Sequence, residues 1–129
     1  MLAALGSYVV EAWNDSTGFF SSLCSPMFKD QLTGFGFSNN GGKSFTDMGG
    51  LPNVNCSTSA FEGDPSVEAY TSGGTTYFYI SSLFFDSTNL AEDIAMDACV
   101  VAGSGKSATL NCNPTPVIVA NSGFFGFDD

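Results

Sequence analysis

The chain has 129 residues, room for one domain with a buried core. Its three cations, Lys29, Lys43 and Lys106, stand against 13 acids for a formal charge of −10, and it has neither arginine nor histidine. This excludes nucleic-acid binding, docking on anionic membranes, histidine triads, imidazole-built zinc sites and arginine clamps within the chain.

Charged residues are only 12% of the chain, about half the globular norm of roughly 25%. A hydrophobic content of 43% with 13 Phe opposes disorder. Solubility then rests on Ser, Thr, Asn and Gly, a profile that suits an extracellular or cell-surface β-protein. Every apolar run is broken by Gly, Ser or Asp well short of the roughly 20 residues a spanning helix needs, so no membrane insertion is expected. The stretch from Met1 to Val10 lacks the basic start and small-residue cleavage site of a signal peptide.

In chain order, Ser7–Asn14 reads as the first strand, with the lone Trp13 buried, and Asn14–Gly18 stops it. Thr33–Ser38 alternates large and small residues and puts Phe35 and Phe37 on one face. Asn39-Asn40-Gly41-Gly42 comes next as a hairpin turn, because Asn and Gly tolerate positive φ, and Lys43–Thr46 resumes an extended pattern. Ser66–Tyr70 and Thr75–Ile80 pair across Ser72-Gly73-Gly74, and Pro114–Ala120 is a final β-branched strand.

Thr88–Ala102 carries both a helical spacing (Leu90, Ile94, Ala98) and an alternation (Ile94, Met96, Ala98, Val100). An internal repeat decides between them. Gly42-Lys43-Ser44 recurs as Gly105-Lys106-Ser107, an offset of 63 that lays Phe35 on Ala98 and Phe37 on Val100, so this segment too is a strand. Phe61–Asp64 likewise resembles Phe125–Asp128, 64 residues later. Two repeats of four strands each predict an all-β chain: two four-stranded antiparallel blades of a β-propeller, in preference to a sandwich. The blades would span 1–57 and 58–122, with 123–129 starting another. A closed propeller needs at least about four blades, so the architecture is incomplete as a single chain.

Ser38-Asn39-Asn40-Gly41-Gly42-Lys43-Ser44-Phe45 resembles the Asp-box, or BNR repeat, of sialidase-like β-propellers, whose pattern is Ser-x-Asp-x-Gly-x-Thr-Trp. Ser38 and Gly42 match; Asn40, Ser44 and Phe45 stand at the Asp, Thr and Trp positions. Thr46–Pro52 resembles the segment that trails such boxes, and Gly63–Val67, with Gly74 and Tyr77, resembles the start of a blade's innermost strand. The second copy, Val101–Ala108, keeps only Gly105 and Ser107. The resemblance implies a structural role for the box, tying a blade's third strand to its fourth on the outer rim. There Asn40 bonds back to turn amides, Gly42 supplies positive φ and Phe45 caps the hydrophobic layer.

For activity, the resemblance implies a tyrosine nucleophile, a carboxylate partner and an arginine cluster gripping the sugar's carboxylate. Tyr8, Tyr70, Tyr77 and Tyr79 are present, but no arginine is, so the chain alone is not expected to be a sialidase. Glu62 and Asp64, with Asp128 in the same place of a following blade, are candidate ligand or calcium positions, weighed against plain solvated or turn-capping acids. No other cofactor is expected. Asp93 and Asp97 read as solvent-facing loop and strand residues, and Ser21-Ser22 and Ser81-Ser82 have no base nearby in sequence.

Cys24, Cys56, Cys99 and Cys112 include no C-x-x-C pair and favour two disulfides in an oxidising compartment. Cys99 and Cys112 flank the Ser104-Gly105-Lys106 turn almost symmetrically, which predicts Cys99–Cys112 across a hairpin and leaves Cys24–Cys56. Asn14-Asp15-Ser16 and Asn55-Cys56-Ser57 are N-glycosylation sequons.

The functional expectation is a non-catalytic propeller segment of a secreted or surface protein, structural or binding glycans or proteins. Its partners would be the remaining blades or copies of itself. The alternatives are a fragment of an exo-sialidase or related glycoside hydrolase, and a self-assembling extracellular structural subunit.

Overall fold

A computed structural model of the chain describes residues 1–19 and 31–124. Over these it is all-β, with two antiparallel sheets and two short 3-10 turns, Ser16–Phe19 and Gly105–Ser107. The first sheet is a meander of β1 (Leu2–Leu5), β2 (Tyr8–Asn14), β3 (Thr33–Ser38) and β4 (Thr46–Gly50). In the second, β5 (Ser59–Ser72), β6 (Thr75–Asp86), β7 (Ala91–Ala102) and β8 (Thr109–Cys112) take the same course. A ninth strand, β9 (Val117–Phe124), pairs with β7 alongside β8.

The two sheets share one core. Val10 and Ala12 of β2 and Phe35 and Phe37 of β3 meet Phe78, Ile80 and Phe84 of β6 and Ala95, Cys99 and Val101 of β7. Phe61 is fully buried and meets Phe84 edge-on at 5.1 Å between centroids. Burying a Phe side chain contributes about 1.5–3 kcal/mol, so these aromatics dominate the attraction between the sheets.

Several expectations change. The chain begins one strand earlier than its pattern suggests, because β1 pairs with β2 around Gly6 at φ +62°. Being a half-exposed edge strand, β1 shows no buried-face pattern to reveal it. Lys43–Phe45 belongs to the turn, and β4 starts only at Thr46. The Ser44 N–H that a ladder would have used goes to Asn40 Oδ1 instead. β5 and β6 run longer than predicted, since bulges between Phe61 and Ser66 hide the alternation of β5. Thr88–Ala102 does end in a strand, β7, entered through Leu90 at φ +56°.

The two sheets share a strand order, but not the register that an offset of 63 predicts. Both turns of the repeat join the third strand of a sheet to the fourth. Ala98 and Val100 are only half-buried, whereas an offset of 64 lays Phe35 on Cys99 and Phe37 on Val101, all four of them buried. The division at 57/58 falls between the sheets, but 122/123 falls inside β9. β9 gives the second sheet five strands where four were expected.

Candidate functional site

The rim turn between β3 and β4 is built by its own side chains. Gly42 N–H donates to Ser38 Oγ at 3.0 Å, and the Ser38 hydroxyl donates to Asn40 Oδ1 at 2.9 Å. Asn40 Oδ1 also takes the Ser44 N–H at 3.1 Å, while Asn40 Nδ2 donates to Ser44 Oγ at 2.8 Å. Gly41 and Gly42 sit at φ +74° and +80°, where a side chain is strained. The Phe45 ring lies 4.0 Å from where a Gly42 Cβ would stand, half-buried beside the turn. Ser38, Asn40, Gly42, Ser44 and Phe45 thus form one self-contained unit.

This turn touches its counterpart in the second sheet. Asn39 Nδ2 donates to the carbonyls of Lys106 and Ala108 at 3.0 and 3.1 Å. Gly105 N–H donates to the Tyr8 hydroxyl at 3.3 Å, and Tyr8 stacks on Phe37 at 6.1 Å. The two turns clamp one end of the sheet pair.

A second polar cluster pins the bulged part of β5 against the first sheet. Gly63, at φ +107°, donates its N–H to Thr33 Oγ1 at 2.9 Å, and the Ser82 hydroxyl donates to the Gly63 carbonyl. Since the Ser82 proton is committed there, the 2.6 Å contact between Thr33 and Ser82 is donated by Thr33, closing a buried ring of three bonds. Phe61 N–H goes to Gln31 Oε1 at 2.8 Å, and Asp64 N–H goes to Asn14 Oδ1 at 2.6 Å. Asn14 Nδ2 returns a bond to Asp64 Oδ1 at 3.0 Å.

Glu62 and Asp64, two of the three predicted acidic positions, border different hollows. Asp64 lines an open cleft of about 370 Å³ with Trp13, Asn14 and Pro65. Glu62 borders a different hollow, of about 180 Å³, beside Cys56 and Phe85. Burial, and then the charge of Glu92, raises the Glu62 carboxyl above its ordinary range. Asp128 lies outside the described residues. Among those described, no three His, Cys, Asp or Glu side chains gather as a metal-binding group. Trp13 is half-buried rather than buried, with its indole over Gly34 and Gly36.

The largest departure is on β7. Asp93 and Asp97, expected to face solvent, point into the core with exposures of 5% and 0%. Asp93 Oδ1 and both oxygens of Asp97 have no hydrogen-bond partner. Burial pushes the Asp97 carboxyl up to about 8. With a rise of about 3.3 Å per residue, four positions separate these acids by roughly 13 Å, too far to act as a carboxylate pair. The signal available in the sequence is the strict alternation Ala91-x-Asp93-x-Ala95-x-Asp97-x-Cys99-x-Val101, which places both acids on the buried face.

Cys99 and Cys112 face each other across the β7–β8 ladder and form a disulfide with S–S 2.01 Å. Cys56 is also disulfide-bonded, while Cys24, its expected partner, lies outside the described residues. Ser21-Ser22 and Lys29 lie outside them as well. Of the two sequon asparagines, Asn14 has its amide engaged with Asp64, and Asn55 is exposed in the turn at 54–58. No helix among the described residues is long and apolar enough to cross a membrane. No protein-family model, curated protein or solved structure matches the chain.

Proposed function

We propose that this chain is a non-catalytic, sialidase-like (BNR/Asp-box) propeller segment of a secreted or surface protein, serving as structure and as a glycan- or protein-binding surface. The observation that carries this reading is the rim turn, where Ser38, Asn40 and Ser44 exchange five hydrogen bonds with each other and with Gly42. The turn joins the third and fourth strands of its sheet and the Gly105–Ser107 turn does the same in the second, an arrangement that supports the Asp-box reading. The Cys99–Cys112 disulfide supports an oxidising compartment. With no arginine to hold a sugar carboxylate, the chain's own residues do not support catalysis on sialosides.

The reading of the chain as a self-assembling subunit is favoured by one further observation. Val117, Ile118 and Val119 of β9 are consecutive, β-branched and 44–52% exposed. Side chains from both faces of this strand are left uncovered, as they would be where another sheet is to pack. Further blades or further copies would serve equally as that cover. Solving the structure of the chain joined to its adjoining coding sequence tests the proposal. Additional four-stranded sheets with Asp-box turns around a common axis are expected, and a sandwich closed within these two sheets would overturn it.

A further inference from the structure

Asp97 lies on the core face of β7, opposite Ile80 of β6 and in line with Ala95 and Cys99. It sits where the edge of β7 passes from one neighbour to another: Met96 is the last residue paired with β9, and Cys99 the first paired with β8. The side chain is fully buried, and neither carboxylate oxygen has a hydrogen-bond partner. A buried charge in that state is strongly disfavoured, whereas the protonated acid is a small neutral group that packs.

Among the described residues, the surroundings offer no compensating cation. On the same face, β7 adds Asp93, β6 adds Asp86 at its far end, and β2 contributes Tyr8, whose hydroxyl takes the Gly105 N–H. The core-facing residues of β3 are Phe35 and Phe37, β4 packs Met48, β5 packs Val67 and Ala69, and β8 supplies Leu110 and Cys112. β9 has no titratable residue at 117–121. Lys43 and Lys106 are both in exposed turns.

We propose that Asp97 is a proton-operated latch between the two sheets, neutral and packed when protonated, and loosening the sheets when it ionises. The inference is independent of the propeller reading. Histidine ordinarily supplies a switch in the neutral range, and this chain has none. The described cysteines are all oxidised, so they do not titrate.

Linkage fixes the sign. The carboxyl binds its proton more tightly folded than unfolded, so the stabilisation is complete below the ordinary Asp range. It is lost progressively as pH rises toward about 8, and stability is flat beyond. The test is chemical denaturation of the full chain from pH 5 to pH 9, for the wild type, Asp97→Asn and, as a charge control, the exposed Glu68→Gln. The wild type and Glu68→Gln should lose up to about tenfold in the folding equilibrium constant per pH unit between pH 5.5 and 7.5. Asp97→Asn should be nearly flat over the same range. Equal slopes in wild type and Asp97→Asn would overturn the proposal. If Asp97→Asn does not fold, the carboxyl carbon resonance of Asp97 in the wild type decides: a titration midpoint above pH 6.5 supports the latch, and one in the ordinary carboxylate range refutes it.

Discussion

A Cβ built on Gly34 would stand 2.6 Å from Nε1 of Trp13, so glycine and indole occupy what would otherwise be one volume. The two residues are direct cross-strand partners, and the ring continues over Gly36. The Thr33-Gly34-Phe35-Gly36-Phe37 pattern therefore serves both faces of β3, with Phe in the core and Gly under the indole. Gly34→Ala should displace the ring and destabilise the chain by about 1–3 kcal/mol. A lowered denaturation midpoint with a blue- or red-shifted Trp13 emission is expected; an unchanged midpoint would contradict this packing.

In the rim turn, Gly42→Val places a β-branched residue at φ +80° and should cost about 1–3 kcal/mol. Asn40→Asp keeps the acceptor for Ser44 N–H, and the Ser44 hydroxyl can turn to donate to the new carboxylate, so it should change stability by less than about 1 kcal/mol. Thermal melts of the two variants should separate clearly, and equal melts would remove the turn's claimed role.

The Cys99–Cys112 disulfide closes a loop spanning 13 positions around the second turn. Replacing both cysteines by Ala should lower stability by about 2–4 kcal/mol, chiefly by freeing the unfolded chain. The paired replacement leaves the bond of Cys56 in place, which reduction would not. Urea midpoints compare the two proteins, and equal midpoints would show that the ladder needs no staple.

The features legible in the sequence are those that alternate or turn. Phe35 and Phe37, the glycines of the rim turn and the near symmetry of Cys99 and Cys112 about Gly105 are local patterns with local causes. β1 escapes a sequence reading because an exposed edge strand has no buried face to betray it. The reach of β5 escapes it because Gly63 and Asp64, both at positive φ, break its period, and the partners that hold that break, Asn14, Gln31 and Thr33, are distant in sequence. Asp93 and Asp97 mislead because acids are ordinarily exposed. Here the alternation of β7 outweighs residue type, and no sequence rule expects two unpaired carboxylates in a core.

If the chain is one part of a larger assembly of sheets, β9 is an unfinished surface that another sheet covers. Sedimentation equilibrium of the purified chain over a wide concentration range tests this most directly, alongside a Val117→Lys/Val119→Lys variant. The two lysines make the net charge less negative, so charge repulsion alone would not keep the variant apart. The wild type is predicted to associate as concentration rises, and the variant to stay a single folded chain. A wild type that remains a single chain at every concentration would contradict cover of β9 by further copies of the chain.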